Sequence, residues 1–209
     1  MRVLVACEFS GVVRNAFRKR GHDAWSCDLL PAEDGSKHHF QNDILEVLNW
    51  AGDLNKPWDL MIAHPPCTYL SRAGARWWKS AERQKRGVEA AEFVNRLWNS
   101  PVPSIAIENP IGKLNQMWRY PDQVIQPHYF GDPYTKATCL WLKNLPPLIS
   151  TMLCNEARPF LPSNTGGKAR GQKATAGVVS GGKNASRTFP GIAAAMAEQW
   201  GGLAQENAA

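Results

Sequence analysis

Residues 2–28, RVLVACEFSGVVRNAFRKRGHDAWSCD, decide the fold. RVLVAC is a short, apolar, β-branched run without polar alternation, as expected of a strand covered on both faces. It breaks at Glu8-Phe9-Ser10-Gly11, after which residues 12–20 take helical spacing and stop at Gly21. DAWSCD, residues 23–28, reads as a second strand with an acid at its C-terminal end. A strand–turn–helix–strand unit of this kind predicts a parallel sheet in the doubly wound α/β class.

The alternation continues outward. Residues 29–42, with Pro31, Gly35 and paired His38-His39, read as loop, and residues 43–50 as a helix with Asp43 near its N-cap. WDLMIA, residues 58–63, is a third strand that runs into His64-Pro65-Pro66-Cys67. The spacing predicts the best helix over 80–98, then a fourth strand over 102–107 that stops at Glu108-Asn109-Pro110. Residues 123–128 and 136–142 read as a hairpin around Phe130-Gly131-Asp132-Pro133. The stretch 146–187, dominated from Ser163 by Gly, Ser, Thr, Asn and Lys, reads as a long loop, mobile or ordered by a partner. Residues 190–200 return to helix, with proline in the first turn.

A chain of 209 residues is long enough for one such domain with a real core. Its 44% hydrophobic and 20% charged residues exclude collagen-like, mucin-like and wholly disordered classes. No stretch approaches the roughly 20 apolar residues of a membrane span, and the N-terminus lacks the pattern of a secretory signal, so a cytoplasmic location is expected. Twenty-four Lys and Arg against 18 Asp and Glu give a net charge of +6, a balance that favours contact with a polyanion. Five cysteines without CxxC spacing argue against a disulfide framework and leave room for a single functional thiol. Most of the nine tryptophans are expected in core or rim positions. No metal is expected: His38, His39, His64 and Cys67 fit no finger spacing, and the HxE and PCxxC of a zinc deaminase are absent.

Ligands of doubly wound sheets bind beyond the C-terminal strand ends, and four such ends carry candidate groups here. Cys67 follows two prolines that stiffen its loop and aim the thiol, which suits a nucleophile; a buried, inert cysteine is the plain alternative. Glu108 ends a buried strand, so desolvation is expected to raise its pKa and let it donate a proton to a ring nitrogen; the alternative is a carboxylate that caps a local turn. Phe9, Ser10 and Gly11 before a helix are a weak nucleotide-binding signal, improved by Asp28 as acceptor for ribose hydroxyls. Asp43 and Ile44 suit an amino group and an adenine face, although such acids also serve as helix caps. Arg72, Arg76, Lys79, Arg83, Lys85 and Arg86, with only Glu82 against them and Trp77-Trp78 among them, read as phosphate contacts or as a solvated helix face. Lys168, Arg170, Lys173, Lys183 and Arg187 form a second basic stretch, or a flexible linker.

In this order the motifs resemble the DNA (cytosine-5) methyltransferase family, above all the small members carried by bacteriophages and prophages. Phe9-Ser10-Gly11 is similar to the family's cofactor motif, Asp28 to its ribose-binding acid, and Asp43-Ile44 to its next cofactor contact. Pro66-Cys67 matches the catalytic Pro-Cys and Glu108-Asn109 the catalytic Glu-Asn. Phe130-Gly131-Asp132-Pro133 lies where the family has Tyr-Gly-x-Pro before Gln-x-Arg-x-Arg. The resemblance spans roughly residues 2–142 and resumes near Pro190. Three features depart from it. Tyr134-Thr135-Lys136-Ala137-Thr138 replaces Gln-x-Arg-x-Arg, so Lys136 must do the work of an arginine. Phe189-Pro190-Gly191 replaces the final Gly-Asn motif. The stretch 146–188 is too short and too poor in hydrophobics for the usual target-recognition domain.

The resemblance implies a doubly wound, Rossmann-like sheet of the S-adenosylmethionine-dependent methyltransferase type, with that recognition domain reduced or absent. It divides the chain into a catalytic and cofactor-binding domain (1–145), a Gly/Lys-rich loop (146–188) and a C-terminal helix packed back on the domain (189–209). It also implies S-adenosylmethionine as cofactor and DNA, duplex or single-stranded, as partner, with a monomer favoured. Cys67 would add to carbon 6 of cytosine, Glu108 would hold or protonate nitrogen 3, and carbon 5 would take the methyl group. A thiol set deep in the site requires a duplex substrate to flip its base out. The alternatives are a methyltransferase for a free pyrimidine nucleotide or RNA, and an inactive relative that binds nucleic acid.

Overall fold

The computed structural model of the chain describes residues 1–53, 57–71, 78–160 and 187–202. Its elements are β1 (Arg2–Ala6), α1 (Val12–Lys19), β2 (Asp23–Asp28), β3 (His39–Gln41), α2 (Ile44–Asp53), β4 (Leu60–Ala63) and α3 (Ala81–Trp98). They continue with β5 (Ser104–Pro110), α4 (Leu114–Met117), β6 (Gln123–Ile125), β7 (Tyr134–Thr135), β8 (Thr138–Lys143), β9 (Arg158–Pro159) and α5 (Pro190–Gln199). Among the described residues, seven strands form one sheet in the order β3-β2-β1-β4-β5-β8-β6. The first five are parallel, while β8 runs antiparallel to both β5 and β6. The fold is thus α/β with a mostly parallel, Rossmann-like sheet.

The apolar run that opens the chain lies where its composition requires. β1 is flanked by β2 and β4, and Val3, Leu4, Val5 and Ala6 are fully buried. Its side chains alternate between two cores, as strand geometry demands. Val3 and Val5, with Leu60, Ile62 and Ala106, pack against α1 and α5 through Val13, Phe17, Ile192 and Met196. Leu4 and Ala6, with Met61, Ala63, Ile105 and Ile107, pack against α2 and α3 through Ile44, Val47, Val94 and Leu97. Trp141 and Trp200 are buried, one in each core.

The turn after β1 is built around a buried acid. Gly11 precedes α1 with φ +72° and carries no side chain to cap it. Glu8 caps the helix instead, its Oε1 accepting from Val13 N at 2.7 Å and its Oε2 from Arg14 N at 3.2 Å. Both bonds satisfy amides that a helix start leaves open. Arg14, fully buried, donates to Ser26 Oγ on β2 at 2.8 Å and pairs with Asp34. One side chain therefore ties helix, strand and the following loop together.

Several sequence expectations need correction. Residues 39–41, read as loop, form the edge strand β3, pinned by His39 Nδ1 against Ser26 Oγ at 2.8 Å. Three residues paired on one side give no periodicity to read. The four-residue α4 escaped for the same reason. Cys7 is not in a strand: it lies one residue past β1 with φ +58°. The first part of the stretch 146–187 is no loose loop either. Gln123 exchanges two 2.8 Å bonds with the backbone of Leu148, and Gln199 holds Ile149 from α5. Arg158 and Phe160 add backbone bonds to Pro133 and Thr135 beside the β7–β9 pair. Residues 161–186 lie outside the described residues.

The Phe130–Pro133 turn clasps the start of α5. Asp132 Oδ2 accepts from Gly191 N at 2.9 Å, and a Cβ on Gly191 would lie 2.0 Å from Phe130 O. Gly191→Ala should therefore destabilise the protein by about 1–3 kcal/mol through overpacking. That is a thermal midpoint lower by about 2–4 °C per kcal/mol, read by calorimetry; an unchanged midpoint would refute the clasp.

Candidate active site

Strand order reverses at β1: the chain moves out through β2 and β3, then crosses to β4 and β5 on the other side. The crevice beyond the C-terminal ends of β1 and β4 is the switch point where open α/β sheets bind ligands. A cavity of about 240 Å³ lies there, lined by Cys7, Glu8, Phe9, Ser10, Asp28 and His64, and further by Pro66, Cys67 and Thr188. A second cavity of about 160 Å³ shares Cys7, Asp28 and Pro66 with it and extends to Asp43, Ile44 and Phe93.

Six of the seven candidate cofactor residues thus line these two cavities. Phe9 and Ser10 are in the first, Asp43 and Ile44 in the second, and Asp28 and Pro66 at the wall common to both. Gly11 lines neither and serves the turn instead. Two of the acids also do the plain structural work: Asp28 Oδ1 accepts from Leu30 N and Asp43 Oδ1 from Leu45 N, both at 2.9 Å. Each carboxylate keeps a second oxygen with acceptor capacity.

The loop after β4 is locked to the end of β5. Ala63 pairs with Ile107, which sets His64 level with Glu108. His64 Nδ1 lies 3.1 Å from Glu108 Oε2, and Asn109 Nδ2 donates to Pro65 O at 2.8 Å. Leu70 N and Ser71 N both bond to Cys67 O, at 3.0 and 2.8 Å, closing a tight turn behind the cysteine. Cys67 lines the first cavity and is itself exposed, which corrects the expectation of a deep-set thiol.

Electrostatics bear on the two candidate catalytic groups in opposite senses. Desolvation, then the charge of Glu108, push the Cys67 thiol above its ordinary value, while Lys136 pulls it down. For Glu108, desolvation raises the pKa, but the His64 hydrogen bond and the charges of His64 and Lys136 outweigh it. Glu108 therefore sits below the ordinary glutamate range, contrary to the upward shift expected from burial alone. Desolvation leaves Glu8 raised, against the charge of His64 and its two backbone bonds. Lys136 approaches the Phe160 and Phe189 rings at 5.4 and 5.6 Å while its charge reaches both Cys67 and Glu108.

Candidate nucleic-acid contacts fare unevenly. Lys79 is exposed at the head of α3. Arg83 donates to Thr68 O at 2.6 Å and lies 5.2 Å over the Tyr69 ring, so it braces the turn behind Cys67. Arg86 pairs with Glu82 at 2.9 Å. Arg72, Arg76, Trp77, Lys168, Arg170 and Lys173 lie outside the described residues. Sequence patterns do not point to Cys7, Glu8 or His64. Only the strand register sets His64 against Glu108, and a helix-capping role for Glu8 needs the turn geometry.

Among the described residues, no group of three or more His, Cys, Asp or Glu side chains could hold a metal ion, and no helix is long and apolar enough to cross a membrane. Comparison with protein-family models and with curated proteins finds no match.

The raised Cys67 value has a direct consequence. At neutral pH the group is a thiol, so its alkylation by iodoacetamide should rise about tenfold per pH unit between roughly pH 7 and 8. Glu108→Gln should speed it by removing a negative charge, and Lys136→Gln should slow it. Mass spectrometry of the Cys67 peptide checks both; equal rates in all three proteins would refute the coupling.

Proposed function

We propose that the chain is an S-adenosylmethionine-dependent methyltransferase that modifies carbon 5 of cytosine in DNA, with Cys67 as nucleophile. One observation carries the reading. The motifs at the C-terminal ends of β1, β2 and β4 line one cavity at the switch point, and Glu108 near the end of β5 is joined to it through His64. The residues present fit the cofactor: two abutting cavities share Asp28, the candidate ribose acceptor, and the second adds apolar Ile44 and Phe93 beside Asp43. Phe9, Ser10, Asp28, Asp43, Ile44 and Pro66 would hold it, and it supplies an electrophilic methyl group.

The protein's own groups have three roles. Carbon 5 of cytosine is a weak nucleophile until a sulfur adds at carbon 6, so the Cys67 thiol first loses its proton to solvent and the thiolate then forms the C6–S bond. The electron pair displaced from the ring is stabilised by a proton delivered to nitrogen 3 through Glu108. After methylation, solvent water takes the proton from carbon 5, the electron pair of that C–H bond restores the ring double bond and expels the sulfur of Cys67 as thiolate, and nitrogen 3 returns its proton. Lys136 favours the thiolate by its charge. Attack at carbon 6 comes from the ring face, which neighbouring bases cover in a duplex, so an exposed thiol still requires the base to leave the stack.

A second reading, a free pyrimidine nucleotide or RNA as substrate, is favoured by one observation. Residues 146–160 are bonded to the body, which shortens further the stretch standing in place of a recognition domain.

Methyl transfer from labelled S-adenosylmethionine, offered duplex DNA, single-stranded DNA, RNA and dCMP in parallel, tests the reading. Label at carbon 5 of cytosine in DNA is expected. Label only in dCMP or RNA would replace the substrate, and none anywhere would favour an inactive nucleic-acid-binding protein. Cys67→Ala should abolish transfer and leave cofactor affinity near wild type. Asp28→Ala should weaken cofactor binding roughly tenfold or more through a lost charged hydrogen bond, measured by calorimetry.

A further inference from the structure

We infer that His64 is the proton reservoir behind Glu108, a positioning and relay residue that supplies the proton Glu108 passes to the ring of the bound base. The inference rests on the proposed function and adds to it a group that the family motifs do not contain. The side chain of His64 is only 7% exposed, and its Nδ1 lies 3.1 Å from Glu108 Oε2. Its Nε2 is buried without a hydrogen-bond partner among the described residues, and the ring lines the cavity that also holds Cys67.

The chemistry needs a group that changes protonation during turnover. Glu108 is held in its charged form at rest, with the histidine hydrogen bond among the causes. A lone carboxylate of that kind holds no proton to give at neutral pH, whereas an imidazole gains and loses one there. The charged and titratable groups around the pair come from several elements. Glu8 follows β1 and senses the charge of His64. Glu108 lies on β5, Cys67 follows β4, and Lys136 lies between β7 and β8, its charge reaching Glu108 and Cys67. In the resting site the imidazolium donates Nδ1–H to the Glu108 carboxylate, which balances its charge. When sulfur adds to the ring, nitrogen 3 takes a proton from Glu108 and Glu108 takes one from His64 Nδ1. Neutral His64 then keeps its Nε2–H. The two transfers reverse when the sulfur leaves. Only N–H and O–H bonds form and break, and the relay needs no further reactant.

His64→Asn is the informative variant, because an asparagine amide can still donate to Glu108 yet cannot carry a transferable proton. We expect its single-turnover methyl transfer to fall on the order of a hundredfold, with KM little changed. Its pH–rate profile should differ from that of the wild type, because the variant has no transferable proton behind Glu108. Binding of S-adenosylhomocysteine and the thermal midpoint should stay near wild type, showing that the site is intact. A variant within about threefold of wild type, with an unchanged pH profile, would overturn the relay and leave the methyltransferase reading standing. No transfer by the wild type to any pyrimidine substrate would overturn both. A measurement on the wild type alone is an independent test: histidine ¹⁵N spectra should find the proton on Nδ1 of His64. A bare Nδ1 throughout the neutral range would overturn the relay whatever the variant does.

Discussion

The hydrogen bond from Asn109 Nδ2 to Pro65 O, 2.8 Å long and buried, is the contact on which the geometry of the site depends. Two consecutive prolines remove two backbone donors from the loop after β4, so that loop cannot extend the sheet's ladder and must be held by other means. A buried carbonyl left unbonded there would cost about 1–3 kcal/mol. Asn109, only 1% exposed, meets it from the neighbouring strand. Parallel pairing of β4 and β5 then makes the next contact almost unavoidable: with Ala63 opposite Ile107, His64 and Glu108 emerge side by side. The loop that carries Cys67 and the end of β5 that carries Glu108 are in this way one unit.

That unit is electrostatically tense. Two carboxylates, Glu8 and Glu108, are drawn into a place where burial works against their charge, and His64 bears on both. The outcomes differ because the surroundings differ. Glu108 has a direct hydrogen bond from the imidazole and the nearby ammonium of Lys136, which together overcome burial. Glu8 is almost wholly enclosed, and its two backbone bonds and the charges around it do not suffice. Neighbouring titratable groups pushed in opposite directions are what the proposed proton transfer requires. Cys67 completes the set, its thiol held back by the same Glu108 charge and assisted by Lys136.

Much of this was legible in the residues. Strands of four to six residues with continuous apolar runs, as in RVLVA and LMIA, identify themselves because burial on both faces leaves no polar position. Cys67 and Glu108 could be singled out because each is a reactive group directly after such a run. Less legible were the pieces whose stability comes from a neighbour. β3 is held by the edge that β2 offers it, and residues 146–160 are held by groups distant in sequence, the side chains of Gln123 and Gln199 and the backbone of Tyr129, Pro133 and Thr135. Arg83 read as a phosphate contact on charge alone; its bond to Thr68 O makes it part of the loop's scaffold.

The sequence by itself determined the α/β class and which candidate groups stand at the strand ends, because burial periodicity and turn chemistry are local properties. Only the tertiary structure decided the sign of the Glu108 shift, the partnership of His64 with it, the exposure of Cys67 and the capping role of Glu8. Each depends on which strand ends lie side by side and at what register. Burial alone predicts a raised carboxyl at Glu108, and an imidazole 3.1 Å away, with the charge of Lys136, reverses that prediction.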